Sequence, residues 1–185
     1  MGYEIAEACA RQGAKVIVVS GPVIVTPVNS NISVVRVQTA KQMFEECHSR
    51  FSECDIAIFT AAVADFTPEM TSREKVKRGK VNWQINLVPT TDIAEKLGAG
   101  KKKGQITAGF ALETENELEN ARIKIKKKNF DFIVLNSLRD KGAGFGTETN
   151  RITIIDKNNN IDKFELKSKS EVANDIVDKL ISMLP

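Results

Sequence analysis

The sequence predicts a three-layer α/β/α protein: a mostly parallel sheet, helices on both faces, and a C-terminal antiparallel hairpin. Two observations predict the layers. Short apolar runs, such as 15–19, 55–60 and 130–135, alternate with longer stretches of helical period. Strands separated by helical segments pair in parallel and are covered on both faces. A third observation predicts the hairpin: the runs 151–155 and 161–166 flank Lys157-Asn158-Asn159-Asn160, a turn composition.

The elements follow in order. Residues 2–12 read as a helix with Ile5, Ala6 and Cys9 on one face, stopped by Gly13. Residues 15–19 are a continuous apolar strand ended by Ser20-Gly21-Pro22. A loop with Pro22, Pro27 and Asn29-Ser30-Asn31 leads to a second strand at 32–37. Thr39 caps a helix that runs to about Arg50. The strand at 55–60 is followed by a polar, basic excursion over 66–82, then a short alternating strand at 83–88. Thr90-Thr91-Asp92 opens a short helix to Leu97, and 98–104 is a Lys-rich turn. A strand at 105–110, a helix at 114–128 and a strand at 130–135 ending at Asn136 come next. A glycine-bearing loop covers 137–150. The final helix spans 170–184, with Ser170 as cap and Val172, Ile176, Val177, Leu180 and Ile181 inward. A doubly wound sheet of this kind normally opens on a strand and a glycine-rich turn. This chain opens on the helix, as though it were the end of a strand–loop–helix unit.

Bulk properties exclude several classes. A chain of 185 residues with 42% hydrophobic and 28% charged residues fits one globular domain. No run approaches the roughly 20 apolar residues of a membrane helix, and no signal peptide is evident, so a cytoplasmic protein without a membrane partner is expected. Cys9, Cys47 and Cys54 are odd in number and form no CxxC pair, which excludes a disulfide frame or zinc site. The single histidine, His48, reads as a helix-surface residue and argues against a His-based metal centre. A net charge of +3 does not call for nucleic acid.

Several segments have a chemical and a plain structural interpretation. Ala61-Ala62-Val63-Ala64-Asp65-Phe66 closes the strand at 55–60, so small residues and a carboxylate lie where open α/β sheets bind ligands. Asp65 is either a ligand to a nucleotide or metal, or a cap. Arg73 to Lys80 is a basic run; lysines there can close over phosphates, or simply be solvated. Lys124 and Lys128 share a helix face, serving either a ligand or the macrodipole. Gly109 permits close approach at a strand end, and Phe110 can stack on a base or fill the core. Gly142-Ala143-Gly144-Phe145-Gly146 lacks the spacing and context of a dinucleotide fingerprint.

Taken in order, these segments resemble one family, the phosphopantothenate–cysteine ligases (phosphopantothenoylcysteine synthetases) of coenzyme A biosynthesis. The likeness is carried by Val19-Ser20-Gly21-Pro22, Ala61 to Phe66, Glu74-Lys75-Val76-Lys77, Asp92-Ile93, Gly109 to Thr114, Lys124 with Lys128, Asn136-Ser137, and Gly144-Phe145-Gly146 before Asn150. The resemblance implies a Rossmann-like fold and a homodimer. It also implies a Mg²⁺-dependent reaction in which CTP activates 4′-phosphopantothenate as an acyl-cytidylate and cysteine displaces CMP. By matching position, Asp65, Thr91, Asp92, Ile93, Ala94, Phe110, Lys124 and Lys128 would bind the nucleotide. Lys75 would lie over the triphosphate as the catalytic cation, and Ala61, Ala62 and Asn136 would meet the acyl substrate. No protein metal ligands are implied. FMN belongs to a decarboxylase fused upstream in bacterial members, not to these residues. Three departures stand out: Thr91 replaces a usual proline, Asn136-Ser137 replaces Asn-Asp, and the family's Ser-Gly-Lys loop precedes the Met1-Gly2 that opens this chain. Two other classes remain: a nicotinamide-dependent oxidoreductase, for which no glycine fingerprint or Tyr-x-x-x-Lys pair is present, and a non-catalytic nucleotide-binding module.

Overall fold

The run Phe132 to Leu135 is apolar at every position, so both faces of that strand must be covered. In the computed structural model Phe132, Ile133 and Val134 are 0% exposed. The structure describes residues 1–72, 74–75, 77, 83–113, 116–137 and 147–184, with the side chains of Glu113 and Ser137 excepted. The glycine-bearing loop at 142–146 and the start of the expected helix at 114 lie outside these residues.

The chain runs α1 (Gly2–Arg11), β1 (Val16–Ser20), β2 (Ile32–Arg36), α2 (Ala40–Phe51), β3 (Ile56–Phe59), β4 (Phe66–Pro68), β5 (Leu87–Pro89) and α3 (Ile93–Ala99). It continues β6 (Ile106–Glu113), α4 (Glu117–Lys128), β7 (Phe132–Ser137), β8 (Thr149–Asn150), β9 (Ile152–Asp156), β10 (Ile161–Lys163), β11 (Lys167–Ser168) and α5 (Lys169–Ile181). The main sheet is five-stranded in the order β10-β9-β7-β6-β3. β3, β6 and β7 are parallel, and β9 and β10 are antiparallel. β1 and β2 form a separate parallel pair.

Alternation along β7 divides the core into two layers. Phe132 and Val134 pack with Ile5 and Ala8 of α1 and Val172 and Ile176 of α5. Ile133 and Leu135 pack with Ala94 of α3 and Ala121 and Ile125 of α4. α1 is apolar on two sides, because Ala6 and Ala10 also cover Ile32 of β2.

Element types follow the sequence closely, and the differences have local causes. Thr39 and Gln42 form a reciprocal capping box on α2, and Gly13 takes φ +88° after α1. α5 is capped by Ser168 rather than Ser170: Ser168 Oγ accepts from the Glu171 N–H at 3.3 Å, and Glu171 accepts from the Ser168 N–H at 3.0 Å. The helix therefore starts earlier, and Ile181 is 44% exposed instead of inward. β6 runs through Glu113, and α4 starts only at Glu117, behind Asn116 at φ 49°. The strand expected at 83–88 is confined to Leu87–Pro89, antiparallel to β4, which lies at the start of the expected excursion. His48 is exposed on α2 but stacks on Phe44, with ring centroids 5.4 Å apart. The three cysteines are free, and burial raises each thiol pKa.

Asp131 pins the amino-terminal edge of the sheet. Its carboxylate is 7% exposed and accepts from the Thr107 N–H at 2.8 Å, from Lys157 at 2.9 Å, and from Lys101. Burial alone would raise the Asp131 carboxyl, but Lys101, the Thr107 amide and Lys157 outweigh it and hold it below the usual carboxylate range. A depressed carboxyl stabilises the fold above its unfolded value, and that stabilisation fades as pH falls through the lower folded value. Asp131→Ala should cost about 3–5 kcal/mol, since it leaves the buried Lys101 ammonium without its carboxylate, while the half-exposed Lys157 stays solvated. Urea midpoints between pH 7 and pH 2 check this: the wild-type profile should fall with acid and the variant's should be flatter. Parallel profiles would rule out Asp131 as the acid-labile group.

Gly109 has a packing reason. A Cβ there would lie 2.2 Å from the Phe130 ring, which itself packs on Phe59 at 5.7 Å. The close approach expected at this glycine is thus made by Phe130, not by a ligand. Gly109→Ala should destabilise by roughly 1–3 kcal/mol through overpacking, measured by denaturant unfolding. An unchanged midpoint would show that the ring moves aside freely.

Candidate active site

The carboxyl ends of β3, β6 and β7 lie side by side, because the three strands are parallel and in register: Phe59 is opposite Gly109, and Leu112 is opposite Asn136. Beyond them opens a cavity of about 310 Å³, at the small end of the size range for ligand sites. Its walls are Phe59 to Ala62 after β3, Phe110 to Leu112 of β6, and Asn136 of β7. Met1 and Gly2 at the start of α1, Asn150 of β8 and Lys169 of α5 complete it. Gly2 is required here, since a Cβ would lie 2.6 Å from Thr60 Oγ1.

The expected acyl-substrate residues Ala61, Ala62 and Asn136 thus meet in one cavity, together with Phe110. Phe110 is half-buried and also packs against the α1–α5 layer of the core. Asn136 is fixed by Asn150, which is 2% exposed. Asn150 Oδ1 accepts from the Arg151 N–H at 3.1 Å, so its amide nitrogen is the group that donates to Asn136 Oδ1 at 3.2 Å.

The expected nucleotide residues lie outside that lining. Asp65 is exposed and caps no helix; among the described residues its carboxylate has no hydrogen bond or ion pair. Its backbone is held to Thr90, whose N–H donates to the Asp65 C=O at 2.8 Å and whose hydroxyl donates to the Ala64 C=O at 2.6 Å. Asp92 caps α3, accepting from the Glu95 N–H at 3.1 Å, and pairs with Lys128 at 3.0 Å. Burial opposes ionisation of Asp92, but the Glu95 amide and Lys128 outweigh it and lower its pKa. Lys127 pairs with Glu95 at 2.8 Å, so two ion pairs join α3 to α4. Ile93 and Ala94 are only 7% and 8% exposed, so their side chains serve the core rather than a pocket wall; their backbone amides open α3. Thr91 is exposed, and Lys124 is half-buried on the same α4 face as Lys128. Lys75 is exposed; most of the basic run around it, residues 73, 76 and 78–80, lies outside the described residues.

A wider hollow of about 430 Å³ lies beyond β1 and β2, lined by 21–24 and 36–38. Arg36 there is spent on the Val23 and Val25 carbonyls at 2.7 and 2.8 Å. The smaller cavity, with its unspent polar groups, is the better site. Among the lining residues to which the sequence assigned no role are Asn150, noted only for its part in the family likeness, and Lys169. The Ser168-x-x-Glu171 capping box was the available signal for Lys169, since it makes that lysine the first residue of α5.

Residues 1–184 match the DNA/pantothenate metabolism flavoprotein C-terminal domain. The chain belongs to this family. It is 40% identical over 183 residues to the coenzyme A biosynthesis bifunctional protein CoaBC of Bacillus subtilis (strain 168), covering 99% of this chain and 45% of that protein. It is 58% identical over 184 residues to a protein of an unknown prokaryotic organism named cysteine/cysteine sulfinic acid decarboxylase, covering all of this chain and 51% of that one. The chain therefore spans about half the length of the curated relatives it matches. The crystal structure of a CoaBC C-terminal domain superimposes with a TM-score of 0.80 at 37% identity, covering 98% of this chain and 82% of that one. The α/β fold with a mixed sheet is that of the CoaBC C-terminal domain. Among the described residues no helix is long and apolar enough to cross a membrane.

The Asp92–Lys128 pair gives this family member a specific test. A double-mutant cycle of Asp92→Asn and Lys128→Gln on unfolding free energy should show coupling of about 0.5–1 kcal/mol, as expected for a partly exposed pair. Additive effects would mean that Lys128 is not committed to Asp92 and owes its position to something else.

Proposed function

We propose that this chain is a ligase domain of coenzyme A biosynthesis that joins 4′-phosphopantothenate to cysteine, consuming CTP and releasing pyrophosphate and CMP. The observation that carries this is the cavity at the carboxyl ends of β3, β6 and β7, where Ala61, Ala62 and Asn136 converge in a chain matched along its length to the CoaBC C-terminal domain. The decarboxylase name of one relative belongs to a protein about twice as long as this chain.

Joining an amine to a carboxylate requires an activated acyl group. The substrate carboxylate attacks the α-phosphorus of CTP; a C–O–P linkage forms, the α–β P–O bond breaks, and pyrophosphate leaves. The cysteine amine then attacks the acyl carbon, the amide forms, and CMP leaves with the bonding electrons. No protein nucleophile is needed. The protein's part is to orient two anions against each other and to neutralise the charge of the departing pyrophosphate.

Lys75 and Lys124 supply positive charge on the nucleotide side, with Lys128 held by Asp92. Phe110 packs beside the reacting end, and Thr91 to Ala94 offer the base their backbone. Mg²⁺ commonly binds through one or two carboxylates plus substrate phosphates. Asp65, whose carboxylate has no hydrogen bond or ion pair among the described residues, could supply one such carboxylate to an ion carried in with CTP. When bound, that ion would screen the triphosphate. Exposed Phe66, Trp83, Ile85 and Leu87 around β4 and β5 support a homodimer.

The full-length polypeptide should release pyrophosphate from CTP only when 4′-phosphopantothenate and Mg²⁺ are both present. Lys75→Ala should lower turnover at least tenfold, about 1.4 kcal/mol or more of transition-state stabilisation. Absence of release with either CTP or ATP would sink the ligase assignment; wild-type turnover in the variant would remove the role of Lys75 alone.

A further inference from the structure

Asp65 is a carboxylate whose backbone is fixed although no group of the chain receives it. It is exposed, and among the described residues it has no hydrogen bond or ion pair. One residue holds the backbone on both sides of it. The Thr90 hydroxyl donates to the Ala64 C=O at 2.6 Å, and the Thr90 N–H donates to the Asp65 C=O at 2.8 Å. Peptide groups are planar, so a bond to one carbonyl orients the whole unit. The first bond orients the peptide that joins Ala64 to Asp65. The second orients the peptide that joins Asp65 to Phe66. With both planes set, φ and ψ of Asp65 are set, and so is the direction of its Cα–Cβ bond. Only its side-chain rotamer is left to choose.

The two bonds differ in kind. Phe66 pairs with Pro89 at the end of the β4–β5 ladder, so the Thr90 N–H continues that ladder by one residue. Any residue but proline offers that N–H. The hydroxyl bond is additional. It reaches back past the ladder to Ala64, and valine, which branches alike and suits a strand equally, would not make it. Burial does not demand it either: Ala64 is exposed, and water would serve its carbonyl. Thr90 is itself held, by β5 on one side and on the other by Asp92, which caps α3 and pairs with Lys128. Val63, the residue before Ala64, packs against the cluster of Phe51, Ile93 and Leu97. The segment that carries Asp65 and the opening of α3 thus form one unit, joined through Thr90.

We propose that Thr90 is a positioning residue that aims the Asp65 carboxylate at the nucleotide; the inference rests on the ligase assignment above, in which Asp65 serves the nucleotide or its ion. Thr90 touches no reactant in this scheme and acts through Asp65. The gain is preorganisation. A carboxylate that already projects in the required direction loses less freedom when the nucleotide arrives, and the reacting groups meet in a narrower range of geometries.

The test is a double-mutant cycle of Thr90→Val and Asp65→Asn in the full-length polypeptide, read as kcat/KM for CTP. Thr90→Val should lower it about fivefold or more, and Thr90→Ser, which keeps the hydroxyl, should stay within about twofold of wild type. In the Asp65→Asn background, adding Thr90→Val should change it by less than about twofold, since the carboxylate that Thr90 aims is already gone. The thermal midpoint of Thr90→Val should lie within about 4 °C of wild type. Losses that multiply in the double variant would overturn the inference, because a residue that merely supports the fold adds its cost with or without the Asp65 carboxylate. So would wild-type kcat/KM in Thr90→Val, equal losses in Thr90→Val and Thr90→Ser, a midpoint well below that range, or wild-type kcat/KM in Asp65→Asn. Each of these leaves the ligase assignment standing, because the wild-type protein still forms phosphopantothenoylcysteine. A wild-type protein that forms none removes that assignment, and this inference with it.

Discussion

The buried carboxylate of Asp131 is the constraint on which the rest of the sheet depends. It joins three segments at one edge: Thr107 of β6, Lys101 in the turn before β6, and Lys157 in the β9–β10 turn. The backbone repeats the linkage, since the Asp131 N–H donates to the Thr107 C=O and the Lys157 N–H donates to the Asp131 C=O, each at 2.8 Å. Charge and ladder therefore fix the same register. Parallel strands cannot slip individually once their amino ends are tied, and a slip of one residue would turn the two core layers inside out. Fixing the amino ends also aligns the carboxyl ends, where the cavity lies. That opposite edge has to leave polar groups unspent if it is to bind anything.

Close approach is the second constraint. A Cβ at Gly98 would lie 2.0 Å from the Lys128 carbonyl oxygen, so α3 and α4 meet backbone to side-chain-free backbone. The Asp92–Lys128 and Glu95–Lys127 pairs bridge the same two helices. Asp92 and Lys128 are therefore structural partners before any ligand arrives. A nucleotide phosphate could recruit Lys128 only by competing with a carboxylate that already holds it at 3.0 Å. Lys124 lies one turn earlier on the same face.

The sequence was legible wherever a local rule and the tertiary structure agreed. Thr39 with Gln42, Gly13 and the Asn-rich turn at 157–160 each carry their own instruction, and each element begins or ends where that instruction puts it. Legibility failed where two local signals competed, as at Ser168 and Ser170. Both serines precede an apolar-periodic run, and only the reciprocal bond with Glu171 selects the first. It failed again where residue type masked orientation. Ile93 and Ala94, at the opening of α3, turn their side chains into the core, an orientation their residue types alone do not give. Gly109 read as permitting a close approach at a strand end, and Phe130 is the group that makes it. Within the site, the small residues after β3 were visible as a pattern. Asn150 was visible only as part of the family likeness, without a role, and Lys169 not at all, because they come from β8 and α5, far along the chain, and only the folded sheet brings them to β7.

Lys128 and Lys169 show how position along a helix decides what a lysine's charge does for the fold. Lys128 ends α4, where the macrodipole favours a cation, and it has a carboxylate within 3.0 Å. Its helix, its partner and its partial exposure all lower its energy in the free protein. Lys169 begins α5, where the macrodipole opposes it, so the two lysines stand at opposite helix ends and only the charge of Lys128 is answered by its own helix.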